Sequence, residues 1–227
     1  MSKYLMSHYA QMWEEAIRKF GEGSSEPDAL IDDPADERRG ITLLARPSTQ
    51  LSAQIVDFQN KLKQEEPCQY YYPTSDLHLT VLSIISCYTG FRLTDIEVAD
   101  YVEVIETCLE KPIQICFRGI TASPSGILIQ GFPEGEGLEK LRNALREAFR
   151  ARSLQHSIDS RYKINTAHIT VARLRRPLTN PEKMVALLEC FRDFSFGGMT
   201  ISILDLVFND WYQQARKVKN LHTFSLV

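Results

Sequence analysis

Two short segments carry the same pattern: Leu77-His78-Leu79-Thr80-Val81 and Ala167-His168-Ile169-Thr170-Val171. A His and a Thr two residues apart inside an apolar, β-branched run have the composition of a strand, not of a helix or turn. Residues i and i+2 of a strand face the same way. His78 and Thr80 should therefore project from one face of their strand, and His168 and Thr170 from one face of theirs, with Leu79, Val81, Ile169 and Val171 packed behind. A single strand of this kind says little, since a His on a sheet face is more often a structural hydrogen-bonder than a catalyst. The duplication is what constrains the chain. Two imidazoles that converge on one cleft divide the roles of general base and general acid, and two hydroxyls beside them hydrogen-bond an anion.

The rest of the sequence supplies a frame for two such strands. Tyr9, Met12, Trp13, Ala16, Ile17 and Phe20 fall at helical spacing, which predicts an amphipathic helix over residues 4–20 that docks on something. The polar, acidic stretch 21–39, broken by Pro27 and Pro34, reads as a linker or long loop. A buried strand is expected at 41–45 and a helix through Leu51, Ile55, Phe58 and Leu62. The first motif strand follows, at 77–86, and then a helix at 96–109. Strands at 113–120 and 127–132 flank the turn-forming Ser123-Pro124-Ser125-Gly126 and read as a hairpin. The next helix carries Leu138, Leu141, Leu145, Ala148 and Phe149, with Arg142, Arg146 and Arg150 on its polar side. The second motif strand spans 167–174. Asn180-Pro181 marks a helix start, and two last strands are expected at 199–208 and 221–226. Because each motif sits in a similar strand, helix, strand series, the expected architecture is α+β. Two pseudo-symmetric lobes of antiparallel sheet line a central cleft, with helices on the outside. Residues 1–38 would form an N-terminal helix and acidic linker, and 39–227 the bilobal domain.

Composition narrows the partners. A chain of 227 residues with a net charge of −3 lacks the dominant basic surface that binding of long nucleic acid requires. A local basic cluster around the second motif, of Arg161, Lys163, Arg173, Arg175 and Arg176, suffices for a small anion or an RNA end. The five cysteines, widely spaced and mostly among apolar neighbours, read as reduced core thiols with no zinc or dithiol pattern. With no signal-peptide core and no transmembrane stretch in the sequence, a cytoplasmic protein without membrane association is expected. A monomer is favoured.

At Asp76-Leu77-His78-Leu79-Thr80-Val81 and His168-Ile169-Thr170-Val171-Ala172-Arg173 the chain resembles the two-histidine (2H) phosphoesterase superfamily, in particular its 2′-5′ RNA ligase-like members, also described as RNA 2′,3′-cyclic phosphodiesterases. The resemblance covers about residues 39–227. It implies that His78 and His168 form a catalytic pair, that Thr80 and Thr170 orient the phosphate, and that Arg173 assists in binding the anion. Simple alternation from His168 turns Arg173 to the opposite face, so its role requires a strand end that bends. Ser83 and Ile84 stand where many relatives have Phe-Leu-Gly.

The implied activity is metal-independent opening of a 2′,3′-cyclic or related 2′,5′-linked phosphodiester on an RNA end or nucleotide, with no cofactor. Unperturbed His residues predict a bell-shaped pH profile with limbs on either side of neutrality. The alternative is a non-catalytic module that holds an AMP-like nucleotide in the same groove. An aromatic from among Tyr70, Tyr71, Tyr72, Tyr88, Trp211 and Tyr212 could stack the base. His8, His156 and His222 lack the motif context.

Overall fold

The computed structural model describes residues 3–227. Five helices and nine strands alternate along them: α1 (Lys3–Gly21), β1 (Arg39–Ala45), α2 (Thr49–Glu65), β2 (Tyr70–Tyr71), β3 (Leu79–Tyr88), α3 (Val98–Glu106), β4 (Ile113–Ser123), β5 (Gly126–Pro133), α4 (Gly137–Ala151), β6 (Ile169–Arg173), α5 (Pro181–Cys190), β7 (Ser195–Ile201), β8 (Ile203–Asp210) and β9 (Lys219–Ser225). Local chemistry sets several of the ends. Ser48 caps α2 by accepting from the Leu51 N–H, and Asn180 caps α5 by accepting from the Lys183 N–H ahead of a first-turn proline. Ser123 pairs with Gly126 across the expected hairpin, so Pro124 and Ser125 make a two-residue turn.

Eight strands lie in the order β7-β4-β5-β6-β3-β1-β8-β9, and β2 adds to β6. Every pairing is antiparallel. The two motif strands β3 and β6 are neighbours at the centre, joined by a single pair, Leu79 with Ile169. On either side the order is symmetric, β3-β1-β8-β9 against β6-β5-β4-β7, which gives two lobes of antiparallel sheet with a motif strand at the inner edge of each. The helices cross over. Helix α2 leaves β1 of the first lobe yet packs on β6 and β7 of the second, and α4 leaves β5 of the second yet packs on β3 of the first. Helix α1 lies on β4 and α5, burying Leu5, Tyr9, Ala16 and Phe20. Tyr9 also pins it by hydrogen bonds: its hydroxyl donates to the Gly131 carbonyl and accepts from the Ala167 N–H.

Three expectations need correction. The run at 199–208 is two strands, not one, because the chain breaks at exposed Ser202 and passes from the far edge of the second lobe to the first. Arg142 and Arg146 are 3% and 4% exposed and do not sit on a polar face of α4. Their stems reach inward, where Arg142 meets backbone carbonyls and Arg146 pairs with Asp159. Of the cysteines, Cys87 and Cys108 are buried, but Cys68 and Cys190 are exposed.

Candidate active site

Each motif histidine sits one residue ahead of its strand, which begins at Leu79 or Ile169. The antiparallel pairing of those two residues fixes the rest. One step in either direction sets His78 opposite Thr170 and Thr80 opposite His168, all four on one face, with each imidazole diagonal to the other. The burial follows: His78, Thr80, His168 and Thr170 are half-buried, while Leu79, Val81, Ile169 and Val171 are fully buried behind them.

Both motif strands then bulge at the residue after the threonine. Along β1, Leu44 pairs with Thr80 and Leu43 with Leu82, leaving Val81 as the extra residue. Along β5, Leu128 pairs with Thr170 and Ile127 with Ala172, leaving Val171 extra. A bulge resets the parity of a strand. Arg173 therefore returns to the face of His168 and Thr170, which is the bend its expected position required, and it lines the same cleft. Ser83 occupies the equivalent place on β3, three residues after Thr80, and lines the cleft too. The Arg173 side chain is held by its Nε, which donates to the Tyr72 hydroxyl at 2.9 Å, and by Asp28 at 3.7 Å. Asp28 comes from the irregular segment between α1 and β1.

At each bulge the carbonyl of the extra residue accepts from a buried donor on a helix. The Arg142 Nε donates to the Val81 carbonyl at 2.8 Å, and its terminal nitrogen bridges the carbonyls of Thr80 at 2.9 Å and Thr166 at 2.8 Å. The Gln59 amide donates to the Val171 and Tyr72 carbonyls, both at 2.8 Å. Arg142 of α4 and Gln59 of α2 are thus pseudo-symmetric clamps, each reaching from one lobe's helix to the other lobe's motif strand. Nothing in the local pattern of either helix marks these residues, because their partners are brought to them only by the crossed packing.

The two rings are oriented alike. His78 donates from Nδ1 to the Asp76 carbonyl at 2.8 Å, which leaves Nε2 as the free nitrogen of the neutral ring. His168 Nδ1 lies 2.8 Å from the Thr166 hydroxyl, which serves as donor or acceptor. Burial lowers both pKa values, His78 to about 4 and His168 to about 3. The neighbouring His78, Arg142 and Arg173 push His168 further in the same direction. The carbonyl of Asp76 works the other way on His78, since it stabilises the imidazolium.

The cleft around these groups measures about 130 Å³, and Tyr162, Trp211, Asn209 and Gln213 complete it. Larger hollows lie elsewhere, including one of about 720 Å³ along β7, but none of these contains a motif residue. Of the aromatics nominated from sequence, Trp211 reaches the cleft. Tyr72 and Tyr212 are buried instead, Tyr72 behind Arg173 and Tyr212 against Asp28 and Arg38. Tyr71 bonds the Glu66 carbonyl, and Tyr88 is paired with Gln155. Tyr162, 66% exposed at the rim, was not foreseen; it lies on a long irregular loop with no periodicity to mark it. The basic cluster disperses, with Arg173 alone of its five members lining the cleft; Arg175 pairs with Asp32, and the Arg161 guanidinium lies over Trp211 at 4.8 Å. Among the described residues no group of three or more His, Cys, Asp or Glu is placed to hold a metal ion.

Solved structures share this arrangement of elements. TT0787 of Thermus thermophilus superposes with a TM-score of 0.60 at 20% identity, covering 83% of this chain and 97% of that one. Escherichia coli LigT complexed with 3′-AMP does so with a TM-score of 0.56 at 14% identity, covering 84% and 99%. The chain has the LigT fold. A further structure described as a phosphoesterase matches this LigT-fold chain with a TM-score of 0.55 at 14% identity, over 84% and 99%. No protein-family model matches the sequence, and no curated protein matches it. Among the described residues no helix is long and apolar enough to cross a membrane.

Proposed function

We propose that the chain is a 2H-type phosphodiesterase that opens 2′,3′-cyclic or related 2′,5′-linked phosphodiesters on nucleotides or RNA ends by two-histidine acid-base catalysis. The observation that carries this is the diagonal set of His78, Thr80, His168 and Thr170 fixed by the Leu79–Ile169 pairing. In this reading Thr80, Thr170 and Arg173 receive the non-bridging oxygens of the phosphodiester, and charge developing on them meets donors already in place. One imidazole takes a proton from water as it attacks phosphorus. The other delivers a proton to the departing ribose oxygen, so the pair ends one turnover with the proton exchanged and returns through solvent.

The free rings are neutral at pH 7, and an entering anion raises the pKa of whichever ring it touches. His78 is the better holder of that proton, because its Nδ1–H already rests on a carbonyl. His168 then serves as base through Nε2. The cleft's donors are imidazoles, hydroxyls, amides and a guanidinium, which suits a phosphodiester without a bridging metal. LigT in complex with 3′-AMP, with phosphate and with ATP supports a nucleotide as the ligand of the shared fold.

The test is turnover of a 2′,3′-cyclic nucleotide, and of a short RNA with a 2′,3′-cyclic end, in the presence of EDTA. Parent protein should open the ring, and His78→Ala and His168→Ala should each lose about 10²- to 10⁴-fold. Nucleotide binding without any turnover, weakened by both substitutions, would mean a binding module instead.

A further inference from the structure

In the lining of the cleft, two side-chain oxygens are buried without a partner. Asn209 Oδ1 and Gln213 Oε1 accept no hydrogen bond from the protein, although the residues are 2% and 3% exposed and both line the cleft. A buried acceptor left unpaired is costly, and such groups in folded proteins are satisfied by water or by ligand.

Their placement is built, not incidental. Thr42 of β1 pairs with Ser83 on one side and Val207 on the other, so the cleft face runs across the sheet from Ser83 to Val207 and, two residues on, to Asn209. Gly40 stands opposite Asn209 with no side chain; a Cβ there would lie 2.3 Å from the Ile85 carbonyl and 3.0 Å from the Cys87 sulfur. That close approach lets the Asn209 amide nitrogen reach the Cys87 sulfur and the Asp210 carbonyl, which commits its donors and fixes which atom is left over as the acceptor. Gln213 has a left-handed backbone, φ 58°, in the turn between β8 and β9. Non-glycine residues held there carry strain, and such strain clusters where a side chain must be aimed.

We propose that Asn209 and Gln213 form a subsite that accepts a hydrogen bond from an N–H or O–H donor of the nucleoside whose phosphate lies between the histidines. The inference rests on the reading of the cleft as a nucleotide site and adds to it the means of selecting among nucleosides. The partner is a group other than the phosphate, because an ionised phosphate oxygen has no hydrogen to give these atoms and would be repelled by them. In a 2′,3′-cyclic nucleotide, whose 2′ oxygen is closed into the phosphate ring, two parts qualify, an amine on the base and the 5′ hydroxyl of the ribose.

Titration calorimetry on the full chain distinguishes them. Adenosine 3′-phosphate is compared with purine riboside 3′-phosphate, which lacks the exocyclic amine, and with 5′-deoxyadenosine 3′-phosphate, which lacks the hydroxyl. One analogue should bind about tenfold more weakly than adenosine 3′-phosphate, and Gln213→Met should abolish that difference. Equal binding of all three by the parent, a difference that survives in Gln213→Met, or no binding of adenosine 3′-phosphate at all would each overturn the subsite. If Gln213→Met does not fold, as judged by circular dichroism, Gln213→Asn tolerates the left-handed backbone and withdraws the acceptor by one methylene. Discrimination in binding by a protein that turns over no cyclic phosphate would overturn the catalytic reading and leave the subsite standing.

Discussion

At the scale of single residues, the proposed mechanism turns on what burial does to two imidazoles. The unperturbed expectation of a bell straddling neutrality gives way, because the free rings have pKa values lowered to about 4 and about 3. For the free protein, the singly protonated pair that acid-base catalysis needs becomes more abundant as pH falls from 8 toward 5, so kcat/KM should rise over that range. The bound anion raises the imidazole pKa, so the kcat profile should lie at higher pH than the kcat/KM profile; coincident profiles would sink this account. The same shifts enter stability. A ring that stays neutral when folded but protonates near pH 6.5 when unfolded favours the unfolded chain as pH drops below 6.5, down to the folded values. Denaturant midpoints should therefore fall between pH 7 and pH 5, and fall less in His168→Gln. Arg173→Gln should raise KM and also lower the denaturation midpoint, since the buried Tyr72 hydroxyl loses the guanidinium that donates to it.

At the scale of elements, the bulges at Val81 and Val171 decide which side chains share the cleft. Arg142 and Gln59 donate to the carbonyls of those bulged residues. Arg142→Met would take the donor from the carbonyls of Val81, Thr80 and Thr166, the buried two at about 1–3 kcal/mol each before relaxation. The expected outcome is a large drop in the denaturation midpoint together with a loss of kcat, because the strand next to His78 and the residue two before His168 are both released. Gln59→Leu, with its two carbonyls, should show the same pattern to a smaller degree. A fall in stability with kcat intact in the folded variant would show that the clamps hold the fold and not the site. The strand and helix periodicities were plain in the sequence, since alternation and 3.6-residue spacing are local properties. A bulge is not local. It arises from pairing with a strand distant in sequence, and so Arg173 read as facing the wrong way, and the run through Ser202 read as one strand.

At the scale of the whole molecule, the crossing of helices between lobes ties the two motif strands into one body. Helix α1 takes part in this, since Tyr9 bonds both Gly131 and the residue just before His168, and Thr121 donates to the Tyr9 carbonyl. Tyr9→Phe should lower the denaturation midpoint by an amount equivalent to about 1–3 kcal/mol, as the Ala167 N–H and Gly131 carbonyl lose their partner in a buried place. An unchanged midpoint would mean that the helix is only loosely laid on β4.

The sequence by itself determined the two polar-faced strands, the antiparallel α+β character, the Asn180 cap of α5 and the identity of the paired His and Thr residues, because each follows from side-chain periodicity or from short-range hydrogen bonding. Only the tertiary structure decided that β3 and β6 meet at Leu79 and Ile169, that Arg173 turns back to join them, that Arg142 and Gln59 hold the motif-strand carbonyls, and that Asn209 and Gln213 line the cleft. Those facts depend on which distant segments pair and on where a buried donor or acceptor finds its partner, and a one-dimensional pattern does not carry that information.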